Sequence, residues 1–128
     1  MNSVYLIVFL LMGLLVLWQL FSYFKAKSME GRPAPDTSQI DNGINASKKV
    51  IFFHSPGCSP CKSIMPLVDT LQQEYSNLIK LDAAQHVALA RQFKLAGTPS
   101  FFAINQNQIA QVKLGAVNEE WLRSHLED

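Results

Sequence analysis

The sequence predicts an α/β domain, a small mixed sheet with helices on both faces, placed behind a single apolar helix long enough to span a membrane. Three observations predict it. Residues 1–24 contain no Asp, Glu, Lys, Arg or His; short apolar runs alternate with stretches of helical periodicity from residue 48 onward; and two of the later runs are joined by a brief polar turn.

Residues 4–24 read VYLIVFLLMGLLVLWQLFSYF, with Gln19 and Ser22 as the distinctly polar side chains. As a helix rising about 1.5 Å per residue, this stretch reaches roughly 30 Å, the thickness of a bilayer's hydrocarbon core. Trp18, Phe21, Tyr23 and Phe24 gather at its end and Lys25 and Lys27 follow, as expected for side chains at the headgroup level. A cleaved signal peptide would need a basic start, a shorter apolar core and a small-residue cleavage site. Residues 1–24 therefore read as a transmembrane anchor. Residues 25–47, rich in Pro, Gly, Ser, Asn and Asp, read as a linker with one short helix near its end.

From Lys48 to residue 128 the pattern is that of one domain. VIFF (50–53) is wholly apolar, as in a strand buried on both faces and central in its sheet. Ile64, Leu67, Val68, Leu71 and Tyr75 recur at spacings of three and four and mark one face of a helix over residues 59–76. Pro60 suits its first turn, whereas Pro66 lies deeper and is expected to bend it. LIKL (78–81) predicts a second strand and residues 87–93 a short helix. SFFAI (100–104), the turn NQNQ (105–108) and IAQVKL (109–114) predict a hairpin. Residues 117–126 close the chain as a helix, with Asn118 as N-cap and Trp121, Leu122 and Leu126 facing inward. A β-α-β unit, a hairpin and a covering helix make the mixed sheet.

A formal charge of +1, from 11 Lys and Arg against 10 Asp and Glu, offers no basic stripe for nucleic acid. The only two cysteines, Cys58 and Cys61, are too few for a disulfide scaffold and too close to staple distant segments. Where a strand gives way to a helix, Cys58 would stand before the first turn, facing unpaired N–H groups and the positive end of the helix dipole. Such cysteines titrate about one to several pH units below the free value near 8.5. Cys58 then suits a nucleophile that captures a substrate disulfide, and the more buried Cys61 suits the resolving thiol. Ser59 and Pro60 between them would tune the reduction potential.

CSPCK after VIFF, with MP at 65–66, resembles the active-site segment of the thioredoxin family. GTPS (97–100) resembles that family's cis-proline loop and KLGA (113–116) the glycine-bearing stretch that borders its substrate groove. The resemblance covers about residues 48–128 and implies a thioredoxin-like fold. It further implies a thiol-disulfide oxidoreductase whose redox-active Cys58–Cys61 disulfide needs no diffusible cofactor. Its partners would be disulfide-containing protein substrates and an upstream protein electron donor, besides the lipid bilayer. Pro99 is expected in cis, the Thr98 backbone is expected to pair with an extended substrate, and Gly57 and Gly115 are expected to border the same groove. The sequence departs from the family at three places. Gly57 stands where Trp is usual, Phe52 where a buried Asp serves as proton acceptor, and His54 where another Trp is usual. Lys80 matches a family lysine, and with His54 it is a candidate for tuning the site.

No second cysteine pair completes a zinc site. A cuprous ion held by two thiolates near His54 is the competing reading, as a copper-binding or metallochaperone module, or a non-enzymatic docking module on the same fold. His86 and His125 read as surface residues. The expected location is a bacterial plasma membrane, crossed once. Lys25, Lys27 and Arg32 favour a cytoplasmic domain by the positive-inside rule. GRPAPD (31–36) and FFHSPGCSPCK resemble a membrane-tethered branch that acts in the bacterial periplasm.

Overall fold

Lys48–His54 forms β1, Leu78–Asp82 β2, Ser100–Asn105 β3 and Gln108–Leu114 β4, and these make one sheet in the order β2-β1-β3-β4. The computed structural model describes residues 2–28, 30–37 and 47–127. β1 runs parallel to β2, with His54 opposite Asp82, and antiparallel to β3, with Phe53 opposite Ser100. It is therefore an inner strand, and Val50, Ile51, Phe52 and Phe53 are all fully buried. The mixed sheet follows from the connections. A helix joins the parallel pair, as such crossovers require, and a tight turn joins β3 to β4, which also pair antiparallel.

Helix α2 (Ser59–Glu74) and helix α4 (Glu119–Leu126) cover one face, while α3 (Val87–Gln92) covers the other. Because side chains alternate along a strand, β1 feeds both layers. Val50 and Phe52 pack with Ile64, Val68, Leu71, Leu122 and Leu126; Ile51 and Phe53 pack with Phe93, Phe102, Ile109 and Val112. α2 runs through Pro66 and stops two residues before its expected end, with the Tyr75 N–H bonded back to the Leu71 carbonyl. Asn118 caps α4 by accepting from the Trp121 N–H at 2.8 Å. Trp121 is only half-buried, since its Nε1 reaches out to donate to Gln111 Oε1. The hairpin turn is shorter than the four residues expected. Gln106 and Asn107 alone make it, both with positive φ, which matches the twist of the strands they join.

α1 (Asn2–Lys27) carries no charged side chain before Lys25, and its segment Asn2–Lys25 is long and apolar enough to cross a membrane. Its large side chains are exposed, Phe9 at 75% and Leu14 at 64%, so none of them is spent on the core of the domain. The chain beyond it is not a free tether where it is described. The Gly31 N–H donates to Ile109 O, the Ile109 N–H to Arg32 O, and the Ala34 N–H to Asn107 O, which satisfies the outer edge of β4. Further on, Thr37 is buried and its Oγ1 accepts from the buried Lys49 Nζ at 2.8 Å. The short helix expected near the end of the linker falls on residues outside those described.

Glu30 fixes the start of this edge segment. Its Oε1 accepts from the Val112 N–H at 3.0 Å and pairs with Lys27 Nζ at 3.1 Å. Partial burial opposes the charge, but the Val112 bond and Lys27 outweigh it, so the carboxyl titrates below the ordinary glutamate range. A depressed pKa means that the clamp is intact above the unfolded value and is lost as the pH falls through the folded one. In micelles, the Val112 amide is expected to be strongly protected at neutral pH, relative to an unstructured amide at the same pH, and to lose that protection as the pH falls into the acid range. In Glu30→Gln that pH step should vanish. A step of the same size in the variant would assign it to another group.

Candidate active site

The site forms where β1 ends. After His54 the chain turns through Ser55, Pro56 and Gly57, and Gly57 takes φ +76°, a left-handed value that other residues rarely adopt. That conformation explains why a glycine stands here and not a bulky ring. Cys58 is extended (φ −80°, ψ 104°) and caps α2: its Sγ accepts from the Cys61 N–H at 3.2 Å. Ser59 and Pro60 occupy the first turn, where the proline's missing N–H costs no helical hydrogen bond. Both are exposed.

Cys58 and Cys61 are joined as a disulfide, with Cα atoms 5.2 Å apart. The two sulfurs differ in access. Cys61 is 1% exposed and packs with Phe52, Phe101 and Ile64, whereas Cys58 is half-buried at the rim of that cluster. A thiolate at Cys58 would keep the Cys61 N–H as a donor and face the positive end of a four-turn helix, both of which favour the charged form.

Across from this turn lies the loop that precedes β3. The Thr98–Pro99 bond is cis, Pro99 is buried, and Thr98 Oγ1 shares a 2.7 Å hydrogen bond with Ser55 Oγ. Gly115, at φ +104°, donates its N–H to Pro99 O at 2.8 Å and so draws the end of β4 to the same place. Gly57, Thr98, Pro99 and Gly115 thus all belong to loops at one end of the sheet. Ser55 was not singled out by sequence reasoning. Besides its bond to Thr98, its carbonyl accepts from the Cys58 N–H at 3.3 Å, so it ties the cysteine turn to the proline loop. A small hydroxyl residue between a strand and a CxxC segment was the available signal.

The tuning candidates are less alike in position. His54 ends β1 on the same face as Phe52, with ring centroids 5.6 Å apart. Burial lowers its pKa, nearby Asp82 opposes that shift and Lys80 adds to it, so the imidazole is neutral at pH 7. Phe52 stacks on Phe101 at 4.6 Å, which makes the floor of the site apolar. Lys80 Nζ is engaged with Asp69 Oδ1 on α2 at 2.8 Å, a partly exposed ion pair. Among the described residues no three His, Cys, Asp or Glu side chains gather as a metal-binding group, so the two sulfurs and His54 do not form one.

The sequence profile of the thioredoxin family matches residues 36–128. The chain belongs to the thioredoxin family. Thioredoxin H3 of Arabidopsis thaliana is 31% identical over 89 residues, which cover 66% of this chain and 75% of that protein. The thioredoxin of Buchnera aphidicola is 26% identical over 82 residues, covering 62% of this chain and 76% of its own length. In fold, the chain resembles the oxidised mitochondrial thioredoxin 3 of Saccharomyces cerevisiae, with a TM-score of 0.58 and 23% identity over 79% of this chain and 96% of that one. This thioredoxin-family protein is a thiol-disulfide oxidoreductase, and its CxxC pair is the redox group. Thioredoxins act through their own active-site disulfide without a cofactor, on disulfide substrates and with reductant partners.

Proposed function

We propose that the chain is a membrane-anchored reductase of protein disulfides, with Cys58 as nucleophile and Cys61 as resolving thiol. The observation that carries this reading is the placement of the Cys58–Cys61 bridge at the start of α2, with a backbone N–H already aimed at the more accessible sulfur. In the reduced protein the Cys58 thiolate attacks one sulfur of a substrate disulfide and forms a mixed disulfide. The other substrate sulfur leaves as a thiolate and takes a proton. Cys61 then loses its proton and attacks Cys58 Sγ, which expels the first substrate sulfur as a thiolate. Two electrons have passed to the substrate, and the Cys58–Cys61 bridge remains for a reductant protein to reopen.

Gly57, Thr98, Pro99 and Gly115 form the groove in this reading, with the substrate chain extended against the Thr98 backbone. Neutral His54, whose ring meets Phe52 beside the Cys61 cluster, relays the Cys61 proton to water. Ser59 and Pro60 set the potential through the fit of the first helical turn, and Lys80 acts at a distance through its charge on His54. Residues 1–24 form the anchor, 25–47 the connection and 48–128 the redox domain. The exposed apolar surface of α1, its length and the lysines that follow support a single membrane crossing; a bacterial plasma membrane is the reading that the resemblance to a bacterial membrane-tethered branch adds. Lys25, Lys27 and Arg32 support a cytoplasmic domain, and reporter fusions at residue 128 test it; activity of a periplasmic reporter alone would reverse the assignment.

Insulin reduction by the purified protein with dithiothreitol as donor tests the function. Turnover lost in Cys58→Ala is the expected result. No reduction by the wild type, together with stoichiometric cuprous-ion binding that Cys58→Ala abolishes, would instead establish the copper-binding reading.

A further inference from the structure

Basic and apolar side chains from three elements collect where α1 leaves the domain. Lys25 in the last turns of α1 lies over a groove that it lines together with Val87, Arg91 and Lys94 of the α3 layer. Lys113 of β4 faces the other layer instead, beside Asn118 and Trp121. Outside α1, Val87 at 48% and Leu114 at 44% are the large apolar side chains left exposed among the described residues. Both belong to this side. The other layer is the more acidic one, with Glu119, Glu120 and Glu127 on or beside α4 and Glu74 at the end of α2, set around Arg123.

This collar adjoins the redox groove. A Cβ placed on Gly97 would lie 3.7 Å from Leu114 Cδ1, and the next residue after Leu114 is Gly115, bonded to Pro99 O. The Glu30 clamp and the backbone bonds from residues 31–34 hold the end of α1 to β4. The orientation of the groove relative to the anchor is therefore set by structure and not by a flexible chain.

We propose that the collar formed by Lys25, Arg91, Lys94, Val87 and Leu114 seats the domain on the anionic headgroups of the bilayer that α1 enters. Seated in this way, the groove beside Gly115 and Pro99 opens at headgroup level, and its substrates are disulfides in extended segments of membrane proteins next to the lipid surface. Lys and Arg side chains near an anionic leaflet are drawn to it, and two exposed apolar residues add insertion at the interface. The substrate class rests on the oxidoreductase reading above; the seating does not.

The test uses the full chain in nanodiscs of phosphatidylcholine alone or mixed with phosphatidylglycerol. A fluorophore is attached through Leu114→Cys, or through Gln73→Cys at the far end of α2, in a Cys58→Ser/Cys61→Ser background. Spin labels on the lipid headgroups report proximity. Quenching at position 114 is expected to exceed that at 73 several-fold in the anionic mixture. It should fall towards the level at 73 in phosphatidylcholine alone, at high salt, and in Arg91→Gln/Lys94→Gln. Equal quenching at both positions in the anionic mixture overturns the seating. In the second arm the wild type reduces a cystine peptide carried on a transmembrane segment. A short spacer between the bilayer and the cystine should be reduced several-fold faster than a long one, and a preference for the long spacer overturns the substrate class. Insulin reduction in detergent separates the two readings: its absence sinks the oxidoreductase, whereas its presence with flat quenching sinks the seating alone.

Discussion

Cys58→Ser is expected to reduce disulfide exchange to the level of the uncatalysed reaction, while Cys61→Ser is expected to accumulate substrates as stable mixed disulfides. The asymmetry comes from burial and from the helix. Cys58 is half-buried at the mouth of the site, and its sulfur accepts the Cys61 N–H. Cys61 is 1% exposed, within a floor of Phe52, Phe101 and Ile64, where an incoming substrate sulfur has no path. Without Cys61 the captured sulfur has no internal nucleophile to displace it, and only an external thiol releases it. Serine at 58 still caps α2, so loss of exchange there reports the missing sulfur and not a frayed helix. Non-reducing electrophoresis of alkylated samples reads the adducts. Equal adducts from the two variants would show that the roles are wrongly assigned.

Phe52→Ala is expected to destabilise the oxidised protein by about 3–5 kcal/mol, a large share of the roughly 5–15 kcal/mol that holds a domain folded. Phe52 is fully buried, stacks on Phe101, and lies under both Cys61 and the ring of His54. Its neighbours on β1 and β3 are fixed by ladders on both sides, which limits how far the cavity can collapse. Denaturant unfolding in micelles measures the loss; a change below about 1 kcal/mol would mean that the floor of the site repacks freely. Phe52→Leu, which retains most of the apolar volume, should lose much less.

The fold was legible in the sequence wherever one side-chain pattern decided it. VIFF gave an inner strand because a run apolar at every position has no face to offer to water, and the spacing from Ile64 to Leu71 gave the buried stripe of α2. Strand ends were less legible. Lys48, Lys49 and His54 join β1 through backbone bonds that their polar side chains do not announce. The docking of residues 31–34 on β4 left no pattern for the same reason, since its hydrogen bonds run between main-chain atoms. At the site, the cysteine pair and the cis Pro99 followed from motifs. The Ser55–Thr98 bond and the engagement of Lys80 by Asp69 did not, because each joins residues distant in sequence by contacts that only the folded chain creates.

A strand whose alternate side chains enter opposite layers welds those layers into one cooperative unit. Val50 and Phe52 belong to the α2 side and Ile51 and Phe53 to the α3 side, so neither face opens without stripping half of β1. The redox bridge hangs from the end of this same strand. The bridge is therefore presented on a surface that exists before any partner arrives, and not through transient breathing of the interior.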